Sequence, residues 1–260
     1  MANKDRKSTV NRRAEILKAL SENGKVFVKE LSEKYQVSEV TIRNDLDKLE
    51  KKDLLIKARG GAIKVDFHVR NDHRISEKYR INIREKERIG KLAAQMIENY
   101  ETIILDSGST TTELAKNLTK FEDLTVITNA INIINILINI PSINVMVPGG
   151  YVRKKSTSLI GPLAEENIKK FHVDKVFLGV DGFDLSKGLY TPNLEEAHLN
   201  QLMITLGNEI IVVTDSSKFK KKSLAFICGI QKIHKVVTDD GIEPLVKKQL
   251  EDEGIEVLIA

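Results

Sequence analysis

Five hydroxyl side chains fall within six positions of the stretch Leu105-Asp106-Ser107-Gly108-Ser109-Thr110-Thr111-Thr112. An apolar run at 102–105 precedes the stretch and an amphipathic segment at 112–118 follows it. Hydroxyls beside the unpaired amides of a helix start can hold an anion, phosphate above all, and Gly108 permits a close backbone path. Ser and Thr also cap ordinary helices, so by itself the stretch leaves both readings open. Asp106 beside an anion is unfavourable unless it accepts backbone amides or a ligand hydroxyl, or shapes the loop.

The elements around this stretch alternate between apolar β-type runs and helical patterns, the mark of parallel α/β units. Strands are expected at 102–105, 125–128, 143–147, 175–180, 209–214, 235–238 and 256–259. Polar clusters follow several of their carboxyl ends: 106–112, Thr128-Asn129, Pro148-Gly149-Gly150, Asp181-Gly182 and Thr214-Asp215-Ser216-Ser217-Lys218. In a parallel sheet these positions gather on one edge, where open α/β folds bind ligands. Any one such loop is ordinary, whereas five together point to one pocket. Lys218 offers a point charge for an anion, and the carboxylates can accept from hydroxyl or amino groups.

A second chemistry sits at the other end of the chain. Residues 1–65 carry 16 Lys and Arg against 10 Asp and Glu, a net of +6, which leaves the remainder at −2 of the total +4. A polyanion would bind there, although a merely solvated surface has the same composition. Pattern favours the polyanion. A helix at 12–20 with Ala14, Ile16, Leu17 and Leu20 on one face, a strand at 25–27 and a helix at 28–35 lead to a helix capped by Ser38. In that last helix Ile42, Leu46 and Leu49 face inward, and Val37 is placed to staple onto Ile42. This is a helix-turn-helix: Ser38 and Thr41 suit phosphate oxygens, and Arg43 and Asn44 suit base edges. Arg43 could instead pair with Asp47 one turn on. Residues 55–64 read as a hairpin turning at Gly60-Gly61, a basic wing carrying Lys57 and Arg59.

Val37-Ser38-Glu39-Val40-Thr41-Ile42-Arg43-Asn44-Asp45-Leu46, with the Arg59-Gly60-Gly61-Ala62 wing, resembles the amino-terminal signature of the DeoR family of bacterial transcription regulators. Phe27 departs from the pattern, since relatives often place a Ser or Thr cap there. The resemblance extends over nearly the whole chain, through 105–112, Pro148-Gly149-Gly150, Phe177-Leu178-Gly179-Val180-Asp181, Glu195-Glu196-Ala197 and 213–219. These are similar to the family's sensor domain, which shares its fold with ribose-5-phosphate isomerase and coenzyme A transferases and senses phosphorylated sugars. Within the family, residues 184–193 with Glu196, and 211–219, look most like repressors of N-acetylgalactosamine and galactosamine catabolism.

The resemblance implies roles. Asp106, Ser107, Gly108, Ser109 and Thr110 would hold the phosphate, Gly149, Gly150 and Arg153 would close over the ligand, and Asp181, Glu196 and Lys218 would reach the sugar. Thr111 and Asn129 join the effector-binding candidates from the same loops. Repression of a sugar catabolic operon, relieved by a phosphorylated sugar or amino sugar, is the implied function. The partners expected are double-stranded operator DNA, the sugar phosphate and further copies of the chain, as a dimer or tetramer, because one winged module makes few base contacts.

The expected architecture is α/β: a winged helix-turn-helix at 1–65, a helical connector at 66–90 that is polar and poor in Gly, and an α/β sensor with a mostly parallel sheet at 91–260. A single cysteine, Cys228, in an apolar run excludes an intrachain disulfide and suits a cytoplasmic protein. The amino terminus lacks a signal peptide's apolar core, and the most apolar segment, 130–140, is interrupted by Asn132, Asn135 and Asn139, so no membrane contact is expected. Five scattered His residues lack ligand spacing, and no dinucleotide or Walker motif is present, so neither a metal nor a cofactor is expected and no catalytic residue is assigned. The alternative is a sugar-phosphate isomerase in which Glu196 is the base and Lys218 stabilises the anionic intermediate, but an enzyme has no need of a DNA-reading module. A DNA-binding scaffold would leave the pocket loops unexplained.

Overall fold

Apolar residues at helical spacing start the fold: α1 (Ala2–Asn23) buries Ile16 and Leu20 but leaves Ala14 exposed, so its inward face is narrower than its sequence suggests. The computed structural model describes residues 2–50, 55–58, 60–64 and 72–260. Two units divide the chain, Met1–His68 and Val69–Ala260.

In the first unit β1 (Lys25–Phe27) leads into α2 (Val28–Tyr35), and α3 (Glu39–Glu50) follows. The hairpin β2 (Leu55–Ala58) and β3 (Gly61–Lys64) pairs antiparallel with β1 in the order β1-β3-β2. Phe27 precedes α2 without a side-chain cap, as its apolar character requires. Gln36, at φ 51, turns the chain, and the Ser38 hydroxyl then accepts the Thr41 amide at 3.2 Å, capping α3. Ile42, Leu46 and Leu49 are buried, with Val37 packed beside them.

The second unit opens with two helices, α4 (Ile75–Lys78) and α5 (Ile83–Ala94). Residues 72–90 therefore do not form one continuous helical arm, because Asn82 at φ 52 separates the helices, and they fold with the sensor rather than standing apart from it. The remaining residues of the expected connector, 66–71, lie outside the described residues.

The chain then alternates through β4 (Thr102–Leu105), α6 (Ser109–Ala115), β5 (Leu124–Thr128), α7 (Ile131–Leu137) and β6 (Ile143–Met146). The hairpin β7 (Tyr151–Arg153) and β8 (Ser158–Ile160) leads to α8 (Pro162–Ile168) and β9 (Val173–Leu178). A small antiparallel sheet, β10 (Gly182–Asp184), β11 (Gly188–Thr191) and β13 (Ala225–Phe226), surrounds α9 (Leu194–Leu206) and β12 (Gly207–Val213) in sequence. The chain closes with β14 (Lys235–Thr238), α10 (Pro244–Asp252) and β15 (Glu256–Ile259).

All seven expected strands form one parallel sheet in the order β15-β14-β12-β9-β4-β5-β6. Alternate side chains enter opposite cores: Ile104, Val176 and Leu178 on one face, Ile103, Leu105 and Phe177 on the other. Burial on both faces explains the unbroken apolar runs. Strand β9 ends at Leu178, two residues before the sequence expectation, because Gly179 leaves the ladder and its amide turns to the Asp106 carboxylate. No described helix is long and apolar enough to cross a membrane.

Candidate functional site

In the first unit, Arg43 and Asn44 are exposed on α3 and Thr41 is half-buried, with its hydroxyl 2.9 Å from that of Ser38. Arg43 pairs with Glu39 at 2.5 Å, not with Asp47. Asp47 instead takes the ammonium group of Lys57 on β2, whose backbone amide donates to Glu50 at 2.9 Å. Helix α3 and the wing therefore present their cations together. Arg59 lies outside the described residues. Beneath this surface, buried Asp45 accepts from Arg12 at 2.6 Å and Arg13 at 2.7 Å, tying α3 to α1. Val40, 61% exposed, stands on the same face of α3 as Arg43 and Asn44.

In the second unit the strand order reverses between β4 and β9: the chain runs outward from β4 to β6, then returns to β9 and proceeds to β15 on the other side. Such a reversal opens a crevice at the carboxyl ends of the two central strands. The loops after β4 and β9 line it. Buried Asp106 accepts from Asn200 at 2.9 Å and from the amides of Ser107 and Gly179. Burial, with the Glu196 charge adding to it, raises the Asp106 carboxyl to about 7. Asp106 thus shapes the loop, one of the roles open to it from sequence.

Helix α6 begins at Ser109, three residues earlier than the pattern suggests. Gly108 is its N-cap, and no side chain caps it. The ordinary capping role of Ser and Thr is therefore not what these residues serve. Thr111 and Thr112 donate their hydroxyls back to the Gly108 carbonyl, at 3.0 and 2.6 Å, which commits Thr111 to loop shape. Gly108 itself is extended at φ 175, so its sequence-level role as a special backbone position gives way to one of space: an added Cβ would lie 3.1 Å from the Thr111 hydroxyl oxygen. Ser109 and Thr110 are almost buried beside it.

The other candidates divide. Gly149 and Gly150 both have positive φ, and a Cβ on Gly150 would lie 2.4 Å from the Ile160 carbonyl oxygen, so they let the β7–β8 hairpin close. Asn129 holds that hairpin through Leu159, donating its side-chain amide at 3.3 Å and accepting the Leu159 amide at its carbonyl at 2.8 Å. Arg153 at the hairpin's end donates to Glu196 at 3.2 Å, and the Thr191 hydroxyl donates to the same carboxylate at 3.2 Å. The side chain of Lys218 has no hydrogen bond or ion pair among the described residues, although Asp181 and Asp215 feel its charge.

Sequence reasoning missed the segment before the sheet. Lys78 pairs with Asp181 at 2.6 Å, and Asn82 donates to Asp215 at 2.8 Å. Asp72 accepts from Arg153 at 2.6 Å. Burial opposes charge on Asp181, but the ammonium groups of Lys78 and Lys218 outweigh it and hold the carboxyl below its usual value. The Lys86 ammonium, buried against the carbonyls of Lys78 and Ile81 at 2.7 and 2.6 Å, is pushed down to about 8 by desolvation. A signal was present: Lys86 interrupts the apolar face of α5 three, four and seven residues before Ile89, Gly90 and Ala93. The described residues contain no group of three or more His, Cys, Asp or Glu that could hold a metal.

The family model for the DeoR-like helix-turn-helix domain matches residues 12–66, and that for the DeoR C terminal sensor domain matches residues 81–240. The chain belongs to the DeoR family. A relative from Escherichia coli O157:H7, named as a candidate transcriptional repressor of the aga operon, is 38% identical over 96% of this chain and 94% of its own. GolR, a transcriptional regulator of Listeria innocua, is 36% identical over 96% of this chain and 98% of its own. GlcR, a transcriptional repressor of Bacillus subtilis, is 31% identical over 94% and 93%. Among solved structures, ribose 5-phosphate isomerase A from Methanocaldococcus jannaschii aligns with TM-score 0.39 and 16% identity over 53% of this chain and 55% of that one, too slight a likeness to argue from. As a DeoR-family protein the chain is a DNA-binding transcription regulator, with a reader in its first unit and a sensor domain in its second.

Proposed function

We propose that this DeoR-family regulator is a cytoplasmic repressor of a sugar catabolic operon, released from double-stranded operator DNA by a phosphorylated sugar or amino sugar bound at the sheet's switch point. The observation that carries the reading is the crevice between β4 and β9, where the Ser109 and Thr110 hydroxyls and the unpaired Lys218 stand among partnered carboxylates. Hydroxyl and ammonium donors suit phosphate, while Asp181 and Glu196 suit sugar hydroxyls or an amino group. The similarity to a relative named for the aga operon favours an amino-sugar phosphate. In the reader, Ser38 and Thr41 contact DNA phosphates, Arg43 and Asn44 contact base edges, and Lys57 and Arg59 of the wing add backbone contacts. The regulator works as a homo-oligomer, without a cofactor and without catalysing a reaction.

A thermal-shift screen of sugar phosphates, each with its unphosphorylated sugar as control, tests the reading, because a ligand that binds only the folded state raises its stability. The effector found is then titrated against operator binding. Lys218→Ala should raise the effector concentration needed for release by roughly ten- to a hundredfold, the worth of a charged hydrogen bond, and Thr110→Ala by less. Both variants should keep wild-type DNA affinity. Release at the wild-type effector concentration in both would place the effector elsewhere, and turnover of a sugar phosphate would favour the isomerase.

A further inference from the structure

Residues 72–86 lie along the carboxyl edge of the sheet and are tied to three of the five segments that meet there and to elements that follow the other two. Asp72 bonds Arg153 and Lys155 beyond β6, and the Ile75 amide donates to the Lys155 carbonyl at 2.7 Å. Lys78 pairs with Asp181 after β9. The Tyr79 hydroxyl donates to Thr112 at 2.8 Å on α6 and accepts from Asn132 at 2.7 Å on α7, the helices that follow β4 and β5. Asn82 reaches Asp215 after β12, and Lys86 fastens the strap to α5 through the carbonyls of Lys78 and Ile81.

We propose that Asp72 occupies on Arg153 the place of an anionic effector, and that binding exchanges the carboxylate for the effector's phosphate and frees the strap's first residues. This rests on the switch-point reading given above. Arg153 is nearly buried and already holds two carboxylates, those of Asp72 and Glu196. A phosphate beside that cluster meets repulsion unless one of them leaves. Asp72 lies closer to Arg153, at 2.6 Å against 3.2 Å for Glu196, but it is the partner that can leave. Its second oxygen, Oδ1, is buried without a hydrogen bond to any described residue, a cost that water relieves once the side chain is released. Glu196 stays, because Thr191 also donates to it and α9 fixes its backbone. Lys155, half-exposed, loses Asp72 to water at little cost. What opens is residues 72–75, since Lys86 and Asn82 hold the later part of the strap.

The test uses the full chain and inorganic phosphate, with binding read by calorimetry and amide hydrogen exchange read on peptides covering 72–82. In the wild type, phosphate should speed exchange at 72–75 and leave 78–82 unchanged. Asp72→Asn should bind phosphate about tenfold more tightly, since a strap closed most of the time lowers apparent affinity by the open fraction. Its exchange at 72–75 should already be fast, with no further response to phosphate, and Asp72→Glu should restore wild-type behaviour. The idea is overturned if Asp72→Asn binds phosphate no better than wild type, or if wild-type exchange at 72–75 ignores saturating phosphate. If phosphate binds but neither Thr110→Ala nor Lys218→Ala weakens it, the switch-point reading itself fails. If those variants weaken binding and Asp72→Asn does not strengthen it, only the strap fails. No binding to any form overturns both.

Discussion

The two units use the same cations in opposite surroundings. In the reader, Arg43 is 56% exposed and its partner Glu39 46%, and Lys57 and Asp47 are similarly open to water. In the sensor, Arg153 and its partner Glu196 are 11% and 9% exposed, and Lys86 is 3% exposed. Exposed pairs contribute about 0 to 1 kcal/mol and are screened by salt, so the reader can trade Glu39 or Asp47 for a DNA phosphate at almost no cost. Removing one partner of a buried pair leaves a charge without compensation and costs about 3 to 5 kcal/mol. A surface of the first kind binds a polyanion; a site of the second kind changes only when one specific anion replaces another.

The reader's own buried pair sharpens this contrast and should give the largest effect. Asp45→Ala strands Arg12 and Arg13 beneath α3 and is expected to destabilise the first unit by about 3 kcal/mol, measured by urea unfolding. Arg43→Ala, two residues away but exposed, should leave that unfolding curve in place while specific DNA binding falls by about 1 to 3 kcal/mol and sequence preference relaxes. Equal stability losses in the two variants would erase the distinction between structural and reading charges; unchanged operator affinity in Arg43→Ala would remove it from the interface.

In the sensor, burial brings a pH dependence. The Asp106 carboxyl is raised to about 7, against about 3.9 for an unperturbed Asp. Between those values the folded chain keeps a proton that the unfolded chain has lost, so stability falls as pH rises through this window and then levels off. Lys86, lowered to about 8, acts oppositely: from there to about 10.4 the unfolded chain holds the extra proton, and stability rises with pH. Each group contributes at most about 1.4 kcal/mol per pH unit, and together they place a minimum near pH 7 to 8. Melting curves of Asp106→Asn across pH 4 to 8 should lack the falling limb; a limb unchanged from wild type would assign it to another group.

What was legible in the sequence follows the same division between buried and exposed. The seven parallel strands were readable because burial on both faces makes runs such as Ile103-Ile104-Leu105 and Ile210-Ile211-Val212-Val213 continuously apolar. The winged reader was readable because Ile42, Leu46 and Leu49 alternate with polar residues at helical spacing. The strap was not. Asp72, Lys78 and Asn82 look like solvated connector residues, since their partners lie 81, 103 and 133 positions away. Nor were β7–β8 and β10–β11–β13, whose strands of two to four residues are too short for a periodic signal. The start of α6 was misplaced because Ser and Thr mark helix ends, and here they sit within the first turn while Gly108 takes the cap.

The smallest expected effect belongs to Lys57, and it tests the comparison most finely. Its ammonium group pairs with exposed Asp47 across the wing and α3, so losing it leaves no buried charge behind and the melting temperature should match that of the wild type. If Lys57 moves from Asp47 to a DNA phosphate on binding, it displaces about one counterion, and Lys57→Ala should reduce the slope of log affinity against log salt by about 1. The loss should be nearly equal on specific and random duplexes, because phosphate contacts carry no sequence information. Arg43→Ala must behave differently, falling more on the specific duplex than on the random one. A Lys57→Ala variant with an unchanged salt slope would leave the lysine as a strut between the wing and α3, and the reader's open charges would then divide into those that bind DNA and those that only brace the fold.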